Sequence, residues 1–370
     1  MRVLHVTESF ASGVLTFIED LTRKQVQTGI TPHVLYVPRP ESPSRDEAES
    51  RFAPGVILHD PILPSPPQTA LLVLARRIRA LFRQFEFDAV HLHSSKAGVV
   101  GRLVMMGHRD QTFYSPHGFA FLRLSSSRVS RFMALSIERM LSPLGSLVLT
   151  SASEVEIARD QLHAKSVHYL RSGVSRDTVT PKKFTNTRPR VITMARMVYQ
   201  KAPWRFAAVA RELADIADFT WIGGDAEGSA RWIADAPVEV IEWLSSEDLS
   251  LLIEGADVML FPTLWEGFSL ALVQAQAAGL PVVTTDVVGN RDAVIDGVTG
   301  YVCHSDDELV HATRRLVLDG ELRKSMSAAA QMRVSAEFIN DFMGIDSKQI
   351  YLSGRNRTPQ SGLTRGDSRE

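Results

Sequence analysis

The chain has 370 residues, 44% of them apolar, and a formal net charge of −1, values typical of a globular protein with about two domains. Its single cysteine, Cys303, excludes an internal disulfide and fits a reducing compartment. No run of about 18 apolar residues occurs, and the apolar run after Met1 is too short for a signal peptide, so we expect a cytoplasmic protein that crosses no membrane.

The charge is unevenly divided along the chain. Residues 1–178 hold 21 Lys and Arg against 16 Asp and Glu, whereas residues 179–334 hold 15 against 21. The basic excess lies mainly between Arg76 and Arg139. Two interpretations remain open. This half makes a peripheral contact with an anionic membrane surface, or its basic residues form a solvated helix face.

Apolar runs and helical periodicity alternate along the first half of the chain. Short apolar runs predict strands at residues 3–6, 33–37, 88–93, 112–115, 146–150 and 167–170. Helical spacing of apolar residues predicts helices at residues 14–28, 70–85, 96–106 and 128–141. Residues 39–66, rich in Pro, Ser and acidic residues, are predicted to form a loop with one short strand at residues 56–59.

The pattern restarts after residues 175–189, whose polar composition and two prolines are typical of a linker. Strands are predicted at residues 191–194, 219–222, 238–241 and 257–262, with helices at residues 204–214 and 246–254. Three later helices are predicted at residues 307–316, 322–332 and 336–352. The alternation favours two doubly wound parallel sheets with a cleft between the domains. The polar residues 354–370 are predicted to be disordered.

An acidic-glycine turn follows the predicted strand at residues 257–262 and precedes a predicted helix. Open α/β sheets bind their ligands at such edges. The backbone amides of Gly267, Phe268 and Ser269 would point at an anion. The carboxylate of Glu266 is suited to accept hydrogen bonds from sugar hydroxyls.

Two basic residues, Arg196 and Lys201, lie in the loop between the strand at residues 191–194 and the helix at residues 204–214. Both can reach one anionic group at the carboxyl edge of the sheet, Arg with a planar fork and Lys with a point charge. Taken alone, such a pair is also typical of solvated surface charges.

Two features of the first half lie at equivalent edges. Gly13 opens the first predicted helix, where a glycine allows an anion to approach the backbone or simply forms a turn. His117 lies in the segment Ser115-Pro-His-Gly118 after the strand at residues 112–115. It is either a structural turn residue or a site residue that faces the cleft.

The segment from Glu266 to Gln274 resembles the E-x7-E signature of retaining glycosyltransferases of family 4, with glutamine at the second acidic position. Arg196 and Lys201 resemble the glycine-flanked Arg–Lys pattern of the same family. The segments around Lys96 and His117 look like those of bacterial surface-polysaccharide transferases. Four positions depart from the family pattern: Ser12, Ala195, Ala202 and Gln274.

Two further segments match positions of the family. Ser151-Ala-Ser-Glu154 follows a predicted strand, and Ser172-Gly173-Val174 precedes the linker. A helix N-cap and a turn glycine explain both without catalysis.

The resemblance implies an α/β protein with the GT-B fold, in which two Rossmann-like doubly wound domains face each other across a cleft. Residues 1–178 would form the acceptor-side domain and residues 179–335 the nucleotide-sugar donor domain, with the helix at residues 336–352 crossing back to the first domain. The implied catalytic residues are His117, Glu266, Arg196 and Lys201. The implied donor-binding residues are Gly13, Arg196, Lys201, Glu266, Gly267, Phe268, Ser269, Leu270 and Gln274.

In this assignment Arg196 and Lys201 bind the diphosphate, Glu266 the sugar and Gln274 the ribose. His117 lies beside the donor sugar.

The resemblance implies retaining transfer of a sugar from a nucleotide-diphosphate donor, such as a UDP sugar, to a saccharide or lipid-linked saccharide in surface-polysaccharide synthesis. The resemblance implies no cofactor and no nucleic-acid partner. A divalent metal is not expected either, since the chain has no Asp-x-Asp motif to hold one. His91 and His93 share one predicted strand without an evident third ligand. Two alternatives stay open: a non-catalytic nucleotide-sugar-binding partner subunit, and a nucleotide-sugar 2-epimerase, for which no dedicated pair of cleft carboxylates is evident.

Overall fold

A computed structural model of the chain describes residues 1–62, 69–224, 231–233, 235–242, 244 and 246–355. Two parallel β-sheets, one of seven strands and one of six, occupy the two halves of this part of the chain. Helices connect most successive strands, as parallel pairing requires. The expected architecture of two doubly wound α/β domains is confirmed.

The first sheet is built from residues before the predicted linker. Its strands, β1 to β7 in chain order, are Arg2–Thr7, Thr31–Tyr36, Ile57–Leu58, Ala89–His93, Thr112–Ser115, Ser146–Leu149 and Val167–Tyr169. Their spatial order is β3-β2-β1-β4-β5-β6-β7. The order reverses between β1 and β4, which is the place where open sheets form a ligand crevice. In the register of these two strands, His5 lies opposite His91.

The helices of this half are α1 Ser12–Gln27, α2 Arg45–Arg51, α3 Ala70–Gln84, α4 Ser95–Val104, α5 Arg128–Leu141 and α6 Ala152–Asp160. The helix α2 lies inside the segment predicted to be loop. A capping box between Ser44 and Glu47 starts it. Because Ala48 is its one buried residue, the helix has no apolar periodicity that would have revealed it.

The second sheet contains β8 Arg190–Met194, β9 Asp218–Ile222, β10 Val238–Ile241, β11 Val258–Phe261, β12 Val282–Thr285 and β13 Gly300–Cys303. Their spatial order is β10-β9-β8-β11-β12-β13. The edge strand β13 was not predicted, since its four residues include a glycine and form no distinct apolar run. The helices of this half are α7 Pro203–Leu213, α8 Ser246–Glu254, α9 Leu270–Ala277, α10 Asn290–Ala293, α11 Asp306–Leu318, α12 Gly320–Glu337 and α13 Met343–Arg355.

The last helix, α13, packs against α1 of the first half. Tyr351 is fully buried there, and its hydroxyl lies 2.8 Å from Nδ1 of His91. Lys24 of α1 forms an ion pair of 3.0 Å with Asp341, just before α13. The expected return of the C-terminal helix to the N-terminal domain is confirmed.

The predicted bounds of this crossing helix, residues 336–352, are wrong at the N-terminal end. The helix α13 begins at Met343, because α12 continues to Glu337 and the chain then crosses in a short segment that is extended at Ile339 and forms one 3-10 turn at Asn340–Phe342. In that segment Ile339 forms a parallel bridge with Val174. The neighbouring Gly173 is needed there, since a Cβ on it would lie 1.7 Å from the carbonyl oxygen of Phe338.

Two predictions concern the rest of the chain. Within the described residues, no helix has both the length and the apolar character that crossing a membrane requires. The segment predicted to be disordered begins inside α13, which ends at Arg355. Residues 356–370 lie outside the described part of the chain.

Candidate active site

The loops after β5 and β11 touch through two glycines, Gly118 and Gly267. A Cβ on Gly267 would lie 2.6 Å from the backbone N of Gly118 and 2.8 Å from the carbonyl C of His117. A third glycine, Gly289, packs against the same loop, since a Cβ on it would lie 1.3 Å from the carbonyl oxygen of Gly267. All three distances are shorter than real contacts allow. The carboxyl edges of the two sheets therefore meet at a point where a side chain cannot fit.

Glu266 and Lys201 form an ion pair beside this meeting point. Lys201 Nζ donates to Glu266 Oε1, and the ammonium group lies 4.6 Å from the ring centroid of Phe261. The side chain of Lys201 is 17% exposed and that of Glu266 is 10% exposed. Such partial burial makes the pair stronger than a surface ion pair and holds the carboxylate in one orientation. The structure thus brings together two of the predicted site residues.

The loop that carries Lys201 is tied to the segment that carries Glu266. Gln200 donates from Nε2 to the carbonyl oxygen of Trp265 at 2.8 Å, and its own carbonyl oxygen accepts from the amide of Leu264 at 2.8 Å. This reciprocal bonding positions the two charged side chains relative to each other. Sequence reasoning did not identify Gln200.

Ala202 ends this loop in a left-handed conformation, with φ 48° and ψ 57°. It is fully buried and immediately precedes Pro203, the first residue of α7. Glycine is the residue that adopts this conformation without strain. Position 202 therefore has alanine where the family has glycine, but its backbone keeps the left-handed conformation that glycine adopts most easily.

Arg196 follows β8 in the same loop, but its side chain points toward the other half of the molecule. Its guanidinium group lies 3.9 Å from the carboxylate of Glu41, and the side chain is 38% exposed. The contact is a weak surface pair. The arginine is therefore available to an anionic ligand at this edge.

The predicted position of the helix after Glu266 is displaced. Residues 267–269 form an irregular segment, and α9 begins at Leu270 with Ser269 as its N-cap. The amides of the first helical turn are accordingly those from Leu270 onward, which a helix leaves unbonded. Phe268 packs its ring against Phe338 at 5.5 Å. Gln274 lies half-buried in the second turn of α9. Its side chain makes no hydrogen bond to any residue that the structure describes.

Gly13 lies in the first turn of α1, exposed, with nothing within 4 Å of the position of a Cβ. The residue before it, Ser12, has φ 50°. Ser12 stands where the family has its first glycine, so a left-handed backbone is again kept without that glycine. The backbone at Gly13 is therefore exposed, with free space around it.

His117 follows β5 and also has a left-handed backbone, with φ 52°. Its Nε2 lies 3.0 Å from Nδ1 of His93, and the ring of Phe17 contacts it edge-on at 4.8 Å. Burial lowers the pKa of His117 to about 4, so the imidazole is neutral at physiological pH. His117 therefore combines a strained backbone with a hydrogen-bonded, neutral side chain.

Sequence reasoning missed a third histidine, His5. The parallel register of β1 and β4 brings it beside His91 and His93, and one nitrogen from each ring lies within 4.8 Å of the others. His5 is thus the third potential ligand that the sequence around His91 and His93 did not make evident. His5 and His91 are 86 positions apart and become neighbours only through the pairing of β1 with β4, so no local sequence pattern indicates the contact.

Glu154 is a second residue whose placement was not anticipated. Its side chain accepts a hydrogen bond of 3.1 Å from the amide of Gly118, and burial raises its pKa to about 7. Ser151 caps the helix α6, as expected, by accepting from the amide of Glu154. Asp292 of the second half accepts from the amide and hydroxyl of Ser153 at 3.1 to 3.2 Å. The segment thus supports the cleft from the first half of the chain.

Two family models match the chain. The model of the glycosyl transferase 4-like domain matches residues 12–173, and the model of glycosyl transferases group 1 matches residues 188–319. The chain belongs to the family 4-type glycosyltransferases. The resemblance inferred from Glu266, Arg196 and Lys201 is confirmed, and the chain is a glycosyltransferase by family.

Individual relatives of this glycosyltransferase agree with that membership. It is 24% identical over 331 residues to an uncharacterized 41.2 kDa protein in the cps region of Klebsiella pneumoniae, covering 83% of this chain and 87% of the relative. It is 25% identical over 302 residues to the UDP-Gal:alpha-D-GlcNAc-diphosphoundecaprenol alpha-1,3-galactosyltransferase of Escherichia coli, covering 74% and 77%.

A solved structure shows the same fold. The structure of HepE from Anabaena, in complex with UDP and glucose, superposes with a TM-score of 0.74 at 14% identity. The alignment covers 95% of this glycosyltransferase and all of HepE. The GT-B fold implied by the resemblance is therefore confirmed.

Proposed function

We propose that the protein is a retaining glycosyltransferase that moves a sugar from a UDP-type nucleotide-diphosphate donor to a saccharide or lipid-linked saccharide in surface-polysaccharide synthesis. The observation that carries the proposal is the Lys201–Glu266 ion pair, which lies beside the contact between Gly118 and Gly267. A cation for the diphosphate and a carboxylate for the sugar are adjacent there, at the edges of both sheets.

The donor would lie along the carboxyl edge of the second sheet. Arg196 and Lys201 would bind the diphosphate, and the first amides of α9 would add the partial positive charge of a helix N-terminus. Glu266 would accept hydrogen bonds from sugar hydroxyls while Lys201 holds one of its oxygens. Gln274 would contact the ribose. The Escherichia coli relative is named for a UDP-galactose donor, and HepE was solved with UDP, which favours UDP.

The reaction would exchange one bond at the anomeric carbon for another on the same face. The bond from the anomeric carbon to the phosphate oxygen breaks, and the acceptor oxygen forms the new bond. The acceptor's proton passes to the departing phosphate. The chain's contribution is to stabilise the charge that develops on this phosphate with the cations Arg196 and Lys201. These two cations supply that stabilisation from the protein itself.

One experiment tests the stereochemistry and the role of metal together. The purified protein is incubated with UDP sugars and an undecaprenyl-diphosphate-linked saccharide, and the anomeric configuration of the product is read by proton NMR. We expect an α-linked product from an α-linked donor, at the same rate with and without EDTA. An inverted product would overturn the retaining mechanism, and loss of turnover in EDTA would overturn metal independence. Nucleotide binding without turnover would instead favour the partner-subunit alternative, and an epimerised nucleotide sugar the epimerase alternative.

A lipid-linked acceptor requires access to a membrane surface, and α5 provides a suitable face. Val129, Phe132, Met133 and Met140 share one side of this helix and are 57% to 69% exposed. Exposed arginines, Arg128 and Arg139, lie on the same helix. A basic helix with an apolar face is the arrangement that lies in a membrane interface. We therefore extend the proposal to peripheral binding at the inner membrane face.

Sedimentation with vesicles tests this contact. Wild-type protein should pellet with phosphatidylglycerol vesicles, more at low salt than at high salt, and less with neutral vesicles. The double change Phe132→Ser with Met133→Ser should reduce pelleting several-fold. The matched control is Leu318→Ser with Met332→Ser, which removes two residues that are 65% and 74% exposed in the second half. Equal pelleting of the α5 variant and the wild type would exclude this face.

A further inference from the structure

A line of buried hydrogen bonds runs from the C-terminal helix to His117. Gln25 of α1 lies 2.9 Å from Nε2 of His5, and Nδ1 of His5 lies 3.0 Å from Nε2 of His93. Nδ1 of His93 lies 3.0 Å from Nε2 of His117. The first three of these residues are fully buried. In such a line each ring nitrogen either donates or accepts, so the position of one proton decides all the others.

One end of the line is fixed by a backbone carbonyl group. The hydroxyl of Ser347 donates to the carbonyl oxygen of Gly344 at 2.9 Å. Its oxygen must then accept the bond of 3.2 Å from Nε2 of Gln25. This orients the amide of Gln25 and turns its Oε1 toward His5. Nε2 of His5 therefore carries the proton and donates it to Gln25.

A second branch leads to the same orientation. The hydroxyl of Ser115 donates to the carbonyl oxygen of Val148 at 2.5 Å, so it accepts from Nε2 of His91 at 2.9 Å. Nδ1 of His91 then accepts from the hydroxyl of Tyr351 at 2.8 Å. The oxygen of Tyr351 remains to accept from Nε2 of Gln25 at 3.2 Å. Both branches make the Gln25 amide nitrogen a donor toward α13.

The proton on His5 then determines the proton positions on His93 and His117. Because Nε2 of His5 is protonated, its Nδ1 accepts from Nε2 of His93. Nδ1 of His93 in turn accepts from Nε2 of His117. Burial lowers the pKa of all three rings, to about 4 for His5 and His117 and well below the ordinary value for His93, so each carries one proton. Nδ1 of His117 is left unprotonated, and none of the described residues is recorded as its hydrogen-bond partner.

We propose that Gln25 is a positioning residue that fixes the tautomer of His117, through His5 and His93, so that an unprotonated Nδ1 is offered to a hydroxyl of the donor sugar. The proposal rests on the proposed function in one respect, that His117 lies beside the donor sugar. It extends that function by making the crossing helix α13 part of the donor site. Ser347 and Tyr351 of that helix accept hydrogen bonds from Gln25 and so hold its amide in place.

The same rings could also be considered as a metal site, since His5, His91 and His93 are close together. Every ring nitrogen of these three residues already has a hydrogen-bond partner in the structure. A metal ion bound by one nitrogen of each ring would have to displace at least two of these bonds. The ordered hydrogen-bond line accounts for all the nitrogens without such a change.

The tautomer is read directly by long-range proton–nitrogen NMR on protein labelled with nitrogen-15 in the histidine rings. The signal of His117 is assigned by its loss in His117→Asn. The wild-type protein without ligand should show His117 protonated at Nε2. In Gln25→Met the acceptor for His5 is lost, the line can reverse, and His117 should show a substantial Nδ1-protonated fraction. A wild-type His117 protonated at Nδ1, or a Gln25→Met spectrum unchanged at this ring, would overturn the proposal.

Kinetics link the tautomer to the site. Gln25→Met should raise the donor KM about threefold to tenfold, which corresponds to the net contribution of the one hydrogen bond between the donor sugar and His117. The value of kcat should change less. The matched control is Thr22→Val, three residues earlier on α1, whose hydroxyl bonds to the carbonyl oxygens of Ile18 and Glu19. It should change neither the tautomer nor KM. The NMR readout needs no donor, so a failed transfer assay with the expected tautomer contradicts the proposed function and leaves the ordering intact. A changed tautomer without a change in KM would overturn the positioning role.

Discussion

Gly118 and Gly267, one from each half of the chain, pack so closely that a Cβ on Gly267 would lie 2.6 Å from the backbone N of Gly118. The loops after β5 and β11 can meet only because both residues lack a side chain. Glu266 precedes one of these glycines and His117 the other, so the contact sets the separation of two predicted site residues across the cleft.

Gly267→Ala should therefore disturb both stability and activity. Overpacking at this contact should cost about 1–3 kcal/mol of unfolding free energy, or should push the halves apart. In either case turnover should fall. Urea unfolding and small-angle X-ray scattering measure the two outcomes.

The control for this change is Gly13→Ala. A Cβ fits at that position in α1, so the variant should be more stable by about 0.5–1 kcal/mol. If turnover also survives in Gly13→Ala, Gly13 is a plain turn residue. Wild-type stability, dimensions and turnover in Gly267→Ala would contradict the tight contact.

Ala202 should tolerate glycine better than another buried alanine does. Ala202→Gly relieves a left-handed backbone that costs an alanine about 1–2 kcal/mol, whereas Ala210→Gly weakens the middle of α7 by about 1 kcal/mol. Both residues are fully buried, so each variant loses one buried methyl group. We expect Ala202→Gly to be the more stable variant by at least about 1 kcal/mol in urea unfolding. Equal stability would mean that position 202 carries no strain.

Gln274→Glu should strengthen donor binding. A carboxylate accepts hydrogen bonds from ribose hydroxyls about twice as strongly as a neutral amide does, so the Kd for UDP measured by calorimetry should fall several-fold. Gln349→Glu, an exposed change on α13, controls for the added charge and should leave the Kd unchanged. An unchanged Kd in Gln274→Glu would remove this residue from the ribose site.

Glu154 should make stability depend on pH above its ordinary pKa. Burial raises its folded-state pKa from 4.5 to about 7, so the folded state holds an extra proton between these values. The cost of ionising it is absent below pH 4.5 and grows as the pH rises through 7. Glu154→Gln should therefore raise the unfolding free energy by about 1–3 kcal/mol at pH 8 and change it little at pH 4.5.

The control for this pH effect is Glu156→Gln, an exposed change on the same helix. It should alter stability little at either pH. A Glu154→Gln variant with equal gains at pH 4.5 and pH 8 would show that the carboxyl group is not desolvated.

The strands were the most predictable part of the fold, because a parallel strand buried on both faces is a continuous apolar run. The buried strand β5 has the predicted bounds, and so has β10, although none of its four residues is fully buried. Helix starts were less predictable. The start of α9 was expected directly after Glu266 and lies at Leu270, and the start of α13 was expected near residue 336 and lies at Met343. Apolar residues that pack in irregular segments, such as Phe268 and Phe338, imitate helical periodicity there.

The candidate site was predictable where it depends on local motifs. The loop of Lys201 and the turn of Glu266 each carry their own pattern, and the structure pairs them. Its supporting residues were not predictable. His5 joins His93 through a strand register, and Glu154 reaches Gly118 because the first turn of α6 packs against the loop after β5. Both depend on tertiary contacts between residues far apart in the chain, which leave no spacing to recognise.

We propose that Arg196, Lys201 and Glu266 form the edge that binds and activates a nucleotide-diphosphate sugar. The most direct test of this site is UDP release from a panel of UDP sugars by wild-type protein and by Arg196→Ala. Arg205→Ala is the control, since that arginine pairs with Asp306 at 2.9 Å and has no role in the proposed site. We predict that Arg196→Ala lowers turnover about 100-fold to 1,000-fold with an unchanged unfolding midpoint, while Arg205→Ala retains turnover. Wild-type turnover in Arg196→Ala would contradict the account.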